Sequence, residues 1–171
     1  MEEQLNESQM YQSSDNKKVP DFLLVLLILT GINVLYNIYK TLKELFVGAQ
    51  SAGEVEEIFY EQLSSSGQDL SQLPAWVMEG IMEFMTKYAE NAVMIRVVDL
   101  VYYLALGFAA FLMFKLRLLG YYIYVAVNVI GLLLTPVLYG FNFIGISMFV
   151  IFAITAGVFI ALYSANKKHL S

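Results

Sequence analysis

Cysteine is missing altogether, and histidine and tryptophan occur once each in 171 residues. Without cysteine there are no disulfides, no thiol redox chemistry and no thiolate metal site. The lone histidine, His169, cannot build a His-rich metal site within one chain, and it lies in a basic tail away from any triad geometry. Charge is scarce as well: 15% of residues are charged, against about a quarter in soluble domains. What charge exists is acidic overall, at a formal −5. That excludes a nucleic-acid partner, which needs clustered Lys and Arg. An HExxH zinc motif would need two histidines, and no P-loop or GxGxxG is present. Gly145-Ile146-Ser147 matches half of a nucleophile elbow, but Phe149 stands where the second glycine belongs. Glu56 and Glu57 are adjacent and point apart on a helix, while Glu79 and Glu83 share a face with no substrate-binding feature beside them. The expectation is a non-enzymatic protein with no cofactor.

Hydrophobic residues are abundant, at 58%, and they are concentrated in four runs: residues 21–40, 93–115, 118–139 and 143–164. About 20 apolar residues at about 1.5 Å each match a hydrocarbon layer of about 30 Å. The expected fold is all-α: a polytopic membrane protein with a four-transmembrane-helix bundle and an amphipathic helical cap between the first and second spans. Residues 1–20 read as a polar, disordered tail, 41–92 as an acidic outer segment, and 165–171 as a basic tail. The first run reads as a retained signal anchor. About twenty polar residues precede it, and Lys40-Thr41-Leu42-Lys43 offers no small-x-small cleavage site.

Positive charge orients the spans. Lys17 and Lys18 precede the first, Lys115 and Arg117 link the second to the third, and Lys167 and Lys168 follow the fourth. The link between the third and fourth carries none. By the positive-inside rule both termini are cytoplasmic, and the segment between the first two spans lies outside. That segment carries nine carboxylates against Lys40, Lys43 and Lys87.

Within it, Val55, Ile58, Phe59, Gln62 and Leu63 form one helical face, and Ser64 to Gly67 read as a turn. A second helix is expected from near Pro74, with Val77, Ile81, Phe84, Met85 and Tyr88 on one face and Glu79, Glu83 and Lys87 opposite. No Gly or Pro interrupts residues 81–106, which predicts an unbroken helix into the second span. Its outer part would then project above the membrane or bend over onto it. Trp76, Met78, Met82 and Met85 read either as self-packing or as a partner-binding surface.

Few polar groups lie inside the spans. Arg96 and Asp99, three residues apart, share a helix face and are expected to pair near the interface. Thr30, Asn33 and Asn37 form one stripe on the first span, for which Asn128, Tyr102 and Tyr103 are candidate partners. Asn33, Asn37, Arg96, Asp99 and Asn128 are thus the candidate intramembrane polar cluster. They are read as structural hydrogen bonds and ion pairs or as an ion or substrate path. Ala153, Gly157 and Ala161, four apart, form a candidate helix-packing face for the bundle interior or for a second copy. Ala105 and Ala109 do the same in the second span.

The link Phe114-Lys115-Leu116-Arg117-Leu118-Leu119-Gly120-Tyr121-Tyr122-Ile123-Tyr124 and the ending Ala161-Leu162-Tyr163-Ser164-Ala165-Asn166-Lys167-Lys168-His169 carry a likeness. From Met113 onward the chain resembles a set of small uncharacterised bacterial four-span membrane proteins with no assigned activity. The resemblance implies four spans and transfers no functional residue; the expected location is a bacterial cytoplasmic (inner) membrane. The expected role is an accessory or assembly protein acting through helix packing and its outer cap. The alternative is a small transporter or channel using the intramembrane polar residues. The lipid bilayer is the expected partner, with a homo-oligomer or membrane-protein contact through residues 41–92.

Overall fold

In a computed structural model the described residues are 18–47, 54, 57, 61 and 74–171. The polar tail to Lys17, the expected face from Val55 to Leu63 and the turn from Ser64 to Gly67 lie outside them. Exposed Glu54, Glu57 and Glu61, all helical, are the described exceptions. Among the described residues five α-helices are complete, in order α1 (Asp21–Val47), α2 (Ala75–Glu90), α3 (Ala92–Phe114), α4 (Leu118–Tyr139) and α5 (Phe143–Ala165). A short 3₁₀ turn, Lys167–His169, ends the fold.

Helices α1, α3, α4 and α5 are the four spans. In none is more than 28% of the most apolar window buried. Large apolar side chains face outward on all of them, such as Leu35, Val101, Leu133 and Ile151. A water-soluble protein does not leave that much apolar surface uncovered, whereas lipid covers it at no cost. The fold is an all-α, four-helix membrane bundle.

The main contacts between spans are α1 with α3, α3 with α4, and α4 with α5, and α1 also meets α5 through Thr30 and Tyr163. Packing is tightest at one end, here the basal end, where α1 starts, α3 turns into α4, and α5 finishes. Leu23, Ala109, Met113 and Tyr163 are fully buried there, joined by Leu26, Leu27, Ala110 and Tyr124. The α3–α4 turn closes with Leu116 in the left-handed region at φ 56. Arg117 N–H donates to Leu112 O and Leu116 N–H to Met113 O, both at 2.9 Å, which is a Schellman stop built on leucine instead of glycine. Ser171 braces the same turn, accepting from Leu118 N–H at 3.0 Å and donating to Leu116 O at 2.8 Å.

Two features differ from expectation. Helix α1 continues seven residues past the expected limit at 40, because Thr41 to Val47 are ordinary helix formers with no breaker among them. Helix α2 does not run unbroken into α3: Asn91, at φ −102 and ψ 9, interrupts it. The Asn91 side-chain amide and its backbone N–H both donate to Lys87 O, at 2.9 and 3.0 Å. A short polar side chain competing for helix carbonyls loosens the helix at that point, a breaker that a search for Gly and Pro overlooks.

The break lets α2 fold over the far end of the bundle, the capped end, where it packs on α4 and α5. Trp76 meets Phe143 edge-on at 5.3 Å, and Phe84 stacks on Tyr139 at 5.8 Å. Of the expected partner surface, Met85 is buried in this contact, while Trp76 and Met82 stay exposed. Beneath α2 the chain reverses through Gly140, whose φ of +83 suits only glycine, and a Cβ there would lie 2.8 Å from Lys87 Nζ. Asn142 then caps α5, accepting from Gly145 N–H at 2.9 Å.

Candidate functional site

A polar chamber of about 410 Å³ lies at the capped end, between α1 and α3 and beneath α2. Helix α1 contributes Asn37, Lys40, Thr41 and Glu44; α3 contributes Arg96, Asp99 and Tyr103. Phe84 and Tyr88 of α2 face it, with Tyr139 and Met148 from the last two spans. The α1 residues extend the Thr30–Asn33–Asn37 stripe by further helical steps. That continuation is legible in the sequence as the helical spacing of Asn37, Thr41 and Glu44, which runs past residue 40.

The electrostatic centre is Arg96, only 4% exposed. Its Nε donates to Glu44 Oε2 at 3.2 Å, across from α3 to α1. Glu44 Oε1 is also 4.0 Å from Lys40 Nζ, one turn earlier on its own helix. The expected pairing of Arg96 with Asp99 is therefore corrected: the partner is Glu44, and no Arg96–Asp99 ion pair occurs among the described residues. Helical side chains lean toward the N-terminus, so Arg96 points away from an aspartate one turn C-terminal. The α1 extension places a carboxylate where the guanidinium does point. Two groups stay unmatched. Arg96 Nη1 is buried with no hydrogen-bond acceptor, and half-buried Asp99 makes no hydrogen bond or ion pair among the described residues.

Beside the chamber, an apolar cleft of about 590 Å³ runs between α3, α4 and α5. Valines 97, 101 and 127, with Ile130, Leu134 and Phe152, form much of its wall. Asp99, Tyr103, Tyr139 and Met148 line both spaces. The two adjoin along that boundary, polar on one side and hydrocarbon-like on the other.

The five cluster candidates therefore divide. Asn37, Arg96 and Asp99 meet in the chamber. Asn33 faces outward and is tied to Asn37, whose amide donates to Asn33 Oδ1 at 2.9 Å. Asn128 is buried elsewhere, accepting from Tyr102 Oη at 3.1 Å and donating to Tyr124 O at 2.8 Å. Thr30 pairs with Tyr163 Oη of α5 at 2.7 Å, deep in the basal core. We predict that Tyr163→Phe costs about 0.6–1.7 kcal/mol, the range of interhelical hydrogen bonds in membranes. Unfolding of the purified protein in mixed micelles, with Thr30→Val alone and combined, measures it; equal losses that do not add identify the shared bond.

The expected packing face of α5 points away from the bundle. Gly157 and Ala161 are exposed and Ala153 is half-buried, while Ala156 and Tyr163 face inward. In α3, Ala109 does pack inside, at 0% exposure. Among the described residues no group of three or more His, Asp or Glu side chains is placed to hold a metal ion. No known protein family, curated protein or solved structure matches this chain, so any reading of its role rests on the chamber, its cap and the cleft beside it.

Proposed function

We propose that this is a non-enzymatic accessory protein of a bacterial cytoplasmic membrane, with both termini cytoplasmic, whose working part is the capped-end chamber serving as a binding site. One contrast carries the reading. The basal core around Leu23, Ala109, Met113 and Tyr163 is fully buried, and the hollow of about 440 Å³ at that end lies on its outer rim, beside exposed Phe111, Lys115 and Arg117, whereas the capped half holds two adjoining cavities, one of them beneath a folded-over helix. A chamber with a filled floor suits holding a ligand or partner; conduction would require that core to open. The basic residues Lys115, Arg117, Lys167 and Lys168 gather at the basal end, and this supports placing that end in the cytoplasm.

The small-transporter alternative draws on one observation, the ionisable groups Lys40, Glu44, Arg96 and Asp99 in one chamber. Proteoliposomes separate the two. The accessory reading expects no proton or cation flux above empty vesicles; flux that Asp99→Asn abolishes in a folded protein overturns it.

Because the natural chain has no cysteine, single-cysteine variants report topology without background. Cysteine at Glu54 is expected to react with a membrane-impermeant maleimide in intact cells. Cysteine at Arg117 or Lys168 is expected to react only after the membrane is opened. Labelling of all three from the same side would refute the proposed orientation.

A further inference from the structure

We infer that the chamber and the cleft together form a lipid-binding site for an amphiphile with a zwitterionic, amine-bearing phosphate head and a hydrocarbon tail. This rests on the chamber being a binding site, and it names the ligand class.

The head group follows from the unmatched charges. Arg96 is almost wholly buried, lines the chamber, and holds Nη1 without an acceptor. A buried donor left unmet is costly, and a guanidinium is well matched to phosphate oxygens. Lys40, with an exposed ammonium on the same wall, can share that anion. Asp99 has the opposite need: it is a carboxylate without a cationic partner in hydrogen-bonding range. Arg96 and Asp99 sit one turn apart on α3, at a Cβ separation of about 5–6 Å. A head carrying phosphate and ammonium two carbons apart supplies both complements at once. A purely anionic head would leave Asp99 facing like charge.

The tail follows from the cleft. It adjoins the chamber at Asp99, Tyr103 and Tyr139, and its volume lies within the range of small-molecule sites. Val97, Val101 and Ile130 line it and are 48%, 61% and 56% exposed, on faces that contact hydrocarbon in the bilayer. A lipid chain can therefore enter sideways without crossing water. A fully water-soluble ligand would gain nothing from the cleft.

The test titrates the detergent-purified full chain with four probes, reading bound fractions by native mass spectrometry. These are phosphatidylethanolamine, phosphatidylcholine, phosphatidylglycerol and water-soluble phosphoethanolamine. Phosphatidylethanolamine is expected to bind at least about tenfold more tightly than phosphatidylglycerol, the scale of one charge-assisted hydrogen bond. Asp99→Asn is expected to remove that preference. Val101→Trp, at an exposed position of the cleft wall, is expected to weaken lipid binding without changing the preference. Neither variant touches the Arg96–Glu44 pair, so both are expected to fold. Equal binding of all three lipids, unaltered by Asp99→Asn, overturns the inference. Phosphoethanolamine binding as tightly as its lipid, lost in Asp99→Asn and insensitive to Val101→Trp, overturns the lipid class while keeping the chamber as a binding site. No binding of any probe overturns the inference too, and the flux measurement then decides the broader reading separately.

Discussion

Glu44→Ala is expected to destabilise the protein by about 3 kcal/mol, the lower end of the cost of breaking a buried ion pair. Glu44 itself is one-third exposed, which is why the lower end applies, but Arg96 is not: its guanidinium lies at the α1–α3 contact with Glu44 Oε2 as its acceptor at 3.2 Å. With that carboxylate gone, the guanidinium is left buried, charged and unpaired. Glu44→Gln keeps an acceptor oxygen and is expected to lose roughly half as much. The double variant Glu44→Leu with Arg96→Met is expected to fall within about 1 kcal/mol of the parent, because apolar side chains replace a buried pair at little net cost. Lys40→Ala is the control, expected to change stability by less than about 0.5 kcal/mol, since its ion pair is long and exposed. Unfolding in mixed micelles measures the series. If Glu44→Ala matches Lys40→Ala, the interhelical pair does not hold α1 to α3.

Gly120→Ala is expected to cost about 3 kcal/mol, the upper part of the range for overpacking. A Cβ on Gly120 would lie 2.6 Å from Ala109 O and 2.7 Å from Met113 N, both backbone atoms of α3. Backbone cannot rotate aside as a side chain can. Helices α3 and α4 would have to separate where the Leu116 turn and Ser171 hold them together. Gly157→Ala is the matched comparison. Nothing lies within 4 Å of a Cβ there, so the same change is expected to be neutral within about 0.5 kcal/mol. A cost at Gly157 equal to that at Gly120 in monodisperse monomer would contradict the outward orientation of that face.

These two predictions bear on how much the sequence made legible. Small residues are recognisable as packing devices, but the most conspicuous row, Ala153–Gly157–Ala161, points outward, and among the described glycines the tightest approach between two spans is at Gly120. Likewise the polar residues of α1 and α3 stood out, yet the guanidinium's partner proved to be Glu44 beyond the assumed end of the first span. The Asn91 break has no glycine or proline to mark it, although asparagine's competition for backbone carbonyls is a local property of the residue. The cleft had no sequence signal at all, since valines lining a cavity and valines facing lipid look alike.

Amino-acid order alone determined the solvent and the parts: four runs of apolar residues long enough to cross hydrocarbon, an amphipathic helix between the first two, and the absence of cysteine and with it of thiol chemistry. Those are local properties of length and composition. Only tertiary structure decided which face of each span turns inward, where α2 rests, and which charges meet in the chamber. The reason is physical. In water the contrast between polar and apolar faces fixes a helix's rotation, whereas in lipid both faces are apolar and rotation is set by shape and a few hydrogen bonds.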